Sequence, residues 1–362
     1  MKMMKYKLNQ LGDFKNGANY PKDSYGKGDK IVNVKDLFRG RFVDETSLDE
    51  LKPGVLRDKS IYQTEDGDIL FTRSSLVRSG AGMCAMIHNP SQCILFCGFI
   101  IRYRLFDKTS VYPLYLLYLL RSPQYRNLFT GNQQTNITNI NQDSLGDIDV
   151  YLPVDENGDI DYTEQVKLVS VLNALDDKIA LNKKMNQKLE AMAKRLYDYW
   201  FVQYDFPDKN GHPYKTTGGP MTYNPTLKRE IPAGWEVSNI CPLMEILPGG
   251  TPSKAKPEYW NGDIPFFGPT DYCGDVFQLS TEEHITENGL NNCASALYPP
   301  KTIFITARGS VGKLIVCGKP MAMNQSCYAL KPFDLEKYEY LFYLTKQLIE
   351  QLKKKGSGSV FK

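Results

Sequence analysis

The side chains best suited to reading a nucleic acid sit in short loops that occur twice along the chain. Asn132, Gln133, Gln134, Thr135 and Asn136, followed by Thr138 and Asn139, form a dense run of amides and hydroxyls. An amide offers a donor beside an acceptor and so can pair with a base edge, adenine especially. The counterpart run, Ser357-Gly-Ser359, is small enough to bring backbone amides up to phosphates. Arg73 and Arg78 follow one strand-like run, and Arg308, Ser310 and Lys313 follow its counterpart. Guanidinium forks suit guanine edges or phosphates. Thr270 and Asp271, with Lys35 and Asp36, occupy a third shared loop. The competing reading for each of these residues is an ordinary surface turn or a structural salt bridge.

Bond-making chemistry finds less support. An amino-methyltransferase needs Asn or Asp before Pro-Pro-Tyr/Phe to hold the target amine; Tyr298-Pro-Pro300 lacks the leading amide or acid, and Asn89-Pro and Asn224-Pro lack the second proline. Gly309-Ser-Val-Gly-Lys313 suggests a phosphate loop, but Ala307 stands where the first glycine belongs and Leu314 where a hydroxyl should follow the lysine. A tight turn after a strand is the better reading. No glycine-flanked serine marks a hydrolase, and no carboxylate pair with a lysine marks a nuclease. Asp176-Asp177 reads as a solvated helix face.

The element that would position the two sets of loops is a helix over Asp161 to about Gln203. Leu168, Leu172, Leu175, Ile179, Asn182, Asn186, Leu189, Ala193, Leu196 and Trp200 follow one another in alternating steps of four and three. That is a coiled-coil seam, and its two asparagines would fix register and partner at some cost in stability. Asp161 stands three residues before Glu164, where a carboxylate meets unpaired amides, and no proline or glycine intervenes until Pro207. Such a helix runs roughly 60 Å. A seam of that length needs another helix beside it.

The chain of 362 residues is long enough for two domains and a connector, and its net charge of +3 does not by itself announce nucleic acid. Eight cysteines contain no Cys-x-x-Cys pair and three histidines do not cluster with them, so free thiols in a cytoplasm are the simplest account and no metal site is expected. Met1 to Lys7 is not the start of a signal peptide. The aliphatic run Val111 to Leu120 is about half a membrane span in length and reads as a buried helix.

Two stretches of the chain repeat one unit. Tyr115, Leu116, Tyr118 and Leu119 match Tyr340, Leu341, Tyr343 and Leu344 at a constant offset of 225, and the offset carries Gly131 onto Gly356. Upstream, Ile69-Leu-Phe-Thr-Arg73 is similar to Ile303-Phe-Ile-Thr-Ala-Arg308, Asp29 to Asp36 is similar to Asp263 to Asp271, and Tyr6-Lys-Leu pairs with Trp235-Glu-Val. Each copy reads as short strands with Gly/Pro-rich turns, one buried helix and a polar loop. The fold class is therefore mixed α/β (α+β): two similar globular domains, residues 1–152 and 235–362, joined by the helical spacer 153–204 and an extended, turn-rich linker 205–234.

Trp200-Phe201, Asp205-Phe-Pro-Asp208, Gly211, Pro213-Tyr-Lys215, Gly218-Gly219, Met221 and Leu227-Lys-Arg-Glu-Ile-Pro-Ala-Gly-Trp235 closely resemble the central region of type I restriction-modification specificity subunits. Gln165, Leu175, Asp176, Ile179, Asn182 and Leu189 of the preceding helix are similar too. The resemblance covers nearly the whole chain. It implies a cytoplasmic subunit with two target-recognition domains that reads bipartite double-stranded DNA, one half-site per domain. It further implies methyltransferase subunits that modify adenine and a motor-nuclease subunit that cuts, with S-adenosylmethionine, ATP and Mg on those partners and no cofactor on this chain. In the family a second helix normally follows the second recognition domain, whereas this chain stops at Gly356-Ser-Gly-Ser-Val-Phe-Lys362, so it is expected to be truncated and its seam to pair with a second copy or another chain.

The reading that results is a non-catalytic subunit recognising a gapped DNA site, with helix length setting the gap. The rivals are an assembly scaffold acting through the central helix and an enzyme that acts alone.

Overall fold

The computed structural model describes residues 2–75, 80–130 and 138–355. The chain divides into two compact units, 1–183 and 184–362. The division falls inside the long helix, so each half of that helix belongs to the unit beside it in sequence, and 205–234 belongs to the second unit.

The first unit has strands β1 (Lys2–Lys7), β2 (Gly12–Asn16), β3 (Tyr25–Val32), β4 (Asp49–Leu51), β5 (Ile69–Thr72), β6 (Ser74–Ser75), β7 (Cys84–Met86), β8 (Ile94–Phe96), β9 (Ile100–Leu105), β10 (Thr138–Asn139) and β11 (Asp149–Val154). Its helices are α1 (Leu8–Leu11), α2 (Pro113–Arg121), α3 (Pro123–Thr130), α4 (Gln142–Gly146) and the start of α5 (Tyr162–Tyr197). One sheet has the order β2-β9-β5-β7 and a second the order β4-β3-β8, with β3 and β8 parallel. Strand β5 is buried throughout, and its side chains alternate between two covered faces. Ile69 and Phe71 face the cluster that contains Leu114, Leu116, Leu117 and Leu120 of α2, and Leu70 faces the cluster built on the second sheet.

The second unit repeats this plan in β12 (Met221–Asn224), β13 (Arg229–Pro232), β14 (Met244–Pro248), β15 (Trp260–Phe267), β16 (Phe277–Gln278), β17 (His284–Ile285), β18 (Ile303–Thr306), β19 (Leu314–Cys317), β20 (Ala322–Met323) and β21 (Cys327–Pro332), with α6 (Glu287–Asn291) and α7 (Tyr338–Lys355). The orders β14-β21-β18-β19 and β17-β15-β20 reproduce those of the first unit, again with one parallel pair, β15 and β20, in the smaller sheet, and the larger sheet gains a fifth strand, β16, parallel to β19. Even an irregularity recurs: Tyr25 and Asp29 both pair with Leu51, and Trp260 and Ile264 both pair with Ile285. Ile303 faces α7 and Phe304 faces the opposite cluster, as Ile69 and Leu70 do.

The long helix forms as its sequence predicts. Asp161 accepts the Glu164 N–H at 2.9 Å, and a π-turn over Asp198–Val202 ends the helix. Three expectations need correction. Trp235–Val237 forms no strand, so the second unit has no counterpart of β1 there. The helix of the first unit is broken into α2 and α3, because Pro123 has no N–H to donate and forces Ser122 out of the helical region; Leu348 stands at the equivalent place and α7 runs on. The segment 205–234 is an ordered module and not an extended linker: Asp205 accepts the Thr216 N–H and hydroxyl, Phe206 stacks on Tyr214 and Trp235, and β12 and β13 pair as a hairpin.

Candidate nucleic-acid interface

The strand ends of each unit carry loops tied together by backbone hydrogen bonds, and the two sets of bonds correspond one for one. Gly17 N–H donates to Ile100 O at 3.0 Å, as Gly249 does to Cys327 O at 3.2 Å. Ala18 donates to Phe96 O as Gly250 does to Met323 O, and Cys97 to Val32 O as Asn324 does to Phe267 O. Thr72 donates to Met83 O as Thr306 does to Lys313 O, and the glycine before each of those acceptors returns a bond, Gly82 to Thr72 O and Gly312 to Thr306 O. Glycine is required where the first strand's exit crosses the facing turn. A Cβ on Gly17 would lie 2.1 Å from Cys97 O, and one on Gly249 would lie 2.0 Å from Asn324 O.

The bonds also correct the sequence alignment of the two copies. Arg73 N–H donates to Phe99 O at 2.9 Å, and the equivalent donor is Ala307, to Ser326 O at 2.8 Å. Arg73 is therefore matched by Ala307, and Arg308 lies one residue farther into its loop. Both arginines are exposed and neither has an ion-pair partner among the described residues. A guanidinium placed this way remains available to a phosphate or a guanine edge.

Ser310 and Lys313 lie in the β18–β19 connection, where Gly309 and Gly312 take φ of +78° and +79°. Lys313 Nζ sits 4.7 Å above the Tyr272 ring, and its N–H donates to Thr306 Oγ1. A strand and not a helix follows Lys313, as expected of a tight turn. Thr270 is exposed on a short 3-10 turn whose start is capped by Asp271, which accepts the Gly268 N–H at 2.7 Å. Asp36 does the same for Asn33 at 2.9 Å. These two aspartates hold their turns, and Asp36 Oδ1 is buried with the Arg39 guanidinium 3.5 Å away; burial raises the Asp36 carboxyl above its ordinary value, against the Asn33 N–H, which lowers it. Lys35 is paired with Asp49 at 2.7 Å. Arg78, Asn132, Gln133, Gln134, Thr135, Asn136, Ser357 and Ser359 lie outside the described residues, as do the side chains of Thr138 and Asn139.

Folding brings further polar groups to the same ends that the sequence reading missed. Asn19 is exposed beside Gly98, and Thr251 at the equivalent place donates its hydroxyl to Gln325 Oε1. Only the recurrence of Gly17 and Gly249 before them could have signalled these positions. Among the described residues no group of His, Cys, Asp and Glu is arranged to hold a metal, and no helix is long and apolar enough to cross a membrane.

The helix α5 presents two kinds of surface. In the first unit, Gln165 and Val169 are buried, and Asp176 and Asp177 pair with Arg41, with Nη1 to Asp176 Oδ2 at 3.2 Å, so these acids are not a merely solvated face. The seam residues Leu168, Leu172, Leu175, Ile179, Leu189 and Leu196 are 39 to 58% exposed, and Asn182 and Asn186 are exposed with them. A row of leucines left in water is the face an absent partner would cover.

Comparison with known proteins places this arrangement. Residues 1–191 and 232–362 match the type I restriction modification DNA specificity domain. The chain is 24% identical to the Type I restriction enzyme HindI specificity subunit of Haemophilus influenzae, over 91% of this chain and 80% of that one. It is 35% identical to the Type I restriction enzyme MjaIX specificity subunit of Methanocaldococcus jannaschii, over 36% of this chain and 32% of that one. The crystal structure of the type I restriction-modification system S subunit from M. genitalium superposes with a TM-score of 0.51 at 17% identity, covering 98% of this chain and 80% of that one, which shows a shared fold. With a domain match over most of its length and two units built on one hydrogen-bond framework, the chain belongs to the DNA specificity subunits of type I restriction-modification systems.

Proposed function

We propose that this subunit reads a bipartite, gapped double-stranded DNA site, each unit contacting one half-site through the loops at its strand ends. It directs adenine methylation and cleavage carried out by methyltransferase and motor-nuclease subunits, which supply S-adenosylmethionine, ATP and Mg. The exposed seam of α5 takes a helix from a second copy or another chain. The observation that carries this reading is the one-for-one backbone correspondence of the two loop sets, which present different side chains on the same frame: Arg73 and Asn19 in one, Arg308, Lys313 and Thr270 in the other.

Selection of bound duplexes from a randomised pool tests it. Enrichment of a gapped motif, with Arg308→Ala weakening specific binding by about 1 to 3 kcal/mol at one position or flattening the salt dependence, supports the reading. No enrichment would favour a scaffold role. Cutting or methylation by the chain alone, given Mg and S-adenosylmethionine, would overturn the assignment of the chemistry to partners.

A further inference from the structure

A singly exposed aromatic ring is ordinary on a protein surface, and Phe99, at 62% exposure, would need no comment on that ground alone. Its setting is what distinguishes it. The turn that carries it is fixed on every side: Gly98 N–H donates to Ala18 O at 2.7 Å, Ile100 N–H to Cys97 O at 2.9 Å, and Phe99 O accepts the Arg73 N–H at 2.9 Å. Gly98 has no Cβ, which leaves room for the Asn19 Oδ1, 2.0 Å from where that carbon would stand. These bonds fix the turn that carries the exposed ring, tying its backbone to that of Ala18 on one side and of Arg73 on the other, with Asn19 and Arg73 themselves exposed. At the equivalent place in the second unit stands Ser326, whose carbonyl accepts the Ala307 N–H in the same way.

A phenyl ring has neither donor nor acceptor. On the major-groove edge of stacked base pairs the one apolar group is the C5-methyl of thymine. We propose that Phe99 is a specificity-determining residue of the first unit, packing on a thymine methyl in its half-site, and that Ser326 at the same station of the second unit meets a polar base edge. This assignment rests on the DNA-reading role proposed above.

The test uses the full chain and the motif that it enriches from a randomised duplex pool. Phe99→Ser, which installs the residue of the second unit, should lose the preference for thymine at one position of one half-site and leave the other half-site unchanged. Unchanged preferences at the remaining positions of the same half-site report that the first unit is folded. Replacing that thymine by deoxyuridine should weaken wild-type binding about fourfold, the effect of one methyl group's burial, and should leave Phe99→Ser unaffected. Ser326→Phe should alter preference in the other half-site only. Wild-type affinity indifferent to deoxyuridine at every thymine of the motif would overturn the proposal, as would a Phe99→Ser variant that changes both half-sites or neither. Loss of affinity without methyl dependence, with a rise in 2-aminopurine fluorescence, would overturn it in favour of a wedge between bases. A wild-type chain that enriches no motif would refute the DNA-reading role itself and this assignment with it.

Discussion

Gln165 is fully buried and joins the start of α5 to the start of α2 through a single amide. Its Oε1 accepts the Tyr112 N–H at 2.9 Å, and its Nε2 donates to Ser110 O at 3.0 Å and to Asp161 O at 3.3 Å. Tyr112 stands just before Pro113, the first residue of α2, so its amide is one of the groups a helix start leaves unpaired. Gln165→Leu keeps the volume and removes both partners. The Tyr112 N–H and Ser110 C=O are then stranded at about 1 to 3 kcal/mol each, so the first unit should lose roughly 3 kcal/mol, a large part of a typical domain's stability. Gln165→Glu sharpens the test, because it keeps an acceptor for Tyr112 but turns carboxylate oxygen toward two carbonyls. Burial and those carbonyls must raise the folded-state pKa of the new acid above its unfolded value of about 4.3. A protonated carboxyl restores the donor, so the variant should approach wild type below that unfolded value and weaken as pH rises through the raised folded one. Denaturant unfolding across pH, with hydrogen exchange at the Tyr112 amide, reads both effects. A Gln165→Leu loss under 1 kcal/mol, or a Gln165→Glu difference from wild type that does not vary with pH, would refute the reasoning.

Two further outcomes follow from the same accounting of polar groups. Arg41 is largely buried between the Phe42 ring, at 4.6 Å, and the Asp176-Asp177 pair, while Tyr118 also donates to Asp176 at 2.7 Å; Arg41→Ala should cost the first unit about 2 kcal/mol in denaturant unfolding, and Arg41→Lys should recover less than half of it, since an ammonium cannot fork to two carboxylates. A coupling energy near zero in the cycle with Asp176→Asn would count against the pairing. The hydroxyls of Ser110 and Thr109 hold the Asp107 carboxyl down at about 2, so its contribution is complete above the unfolded value of about 3.9 and is lost as pH falls toward 2; Asp107→Ala should flatten stability against pH in that window, and an unchanged slope would show that these bonds do not persist in solution.

What the sequence displays is whatever depends on neighbours along the chain. The seam of α5, its Asp161 cap and the tyrosine-leucine repeat of α2 and α7 follow from periodicity and one capping contact, and the structure holds all three where the pattern puts them. The loops are different, because their partners are chosen by strand register. Nothing local to Asn19, Phe99, Gln325 or Ser326 says that they meet residues far along the chain; the parallel pairs β3 with β8 and β15 with β20 bring them there. The one-residue slip between Arg73 and Arg308 has the same origin, since a sequence match rewards identical residue types while the sheet rewards the next amide in register. The supposed linker failed for another reason. Glycine and proline density in 205–234 marks turns, but stacking of Phe206 on Trp235, 29 positions away, orders them, and composition does not record stacking.

The framework shared by the two units also constrains how such a fold can change its target. In each loop set the amides and carbonyls at the crossing are engaged with one another: Gly17, Ala18, Cys97, Gly98 and Arg73 donate within the first, and Gly249, Gly250, Asn324 and Ala307 within the second. A backbone already paired has little left with which to discriminate bases, so discrimination falls to side chains that the frame projects outward. Stations such as Arg73/Ala307 and Phe99/Ser326 can then change identity without breaking a bond that holds the loops. Gly17 and Gly249 cannot, because any Cβ there meets a carbonyl at about 2 Å. On the readout proposed above, the two kinds of position separate support from recognition, and the two copies in one chain differ accordingly: the same hydrogen bonds carry an arginine and a phenyl ring in one unit and an alanine and a serine in the other.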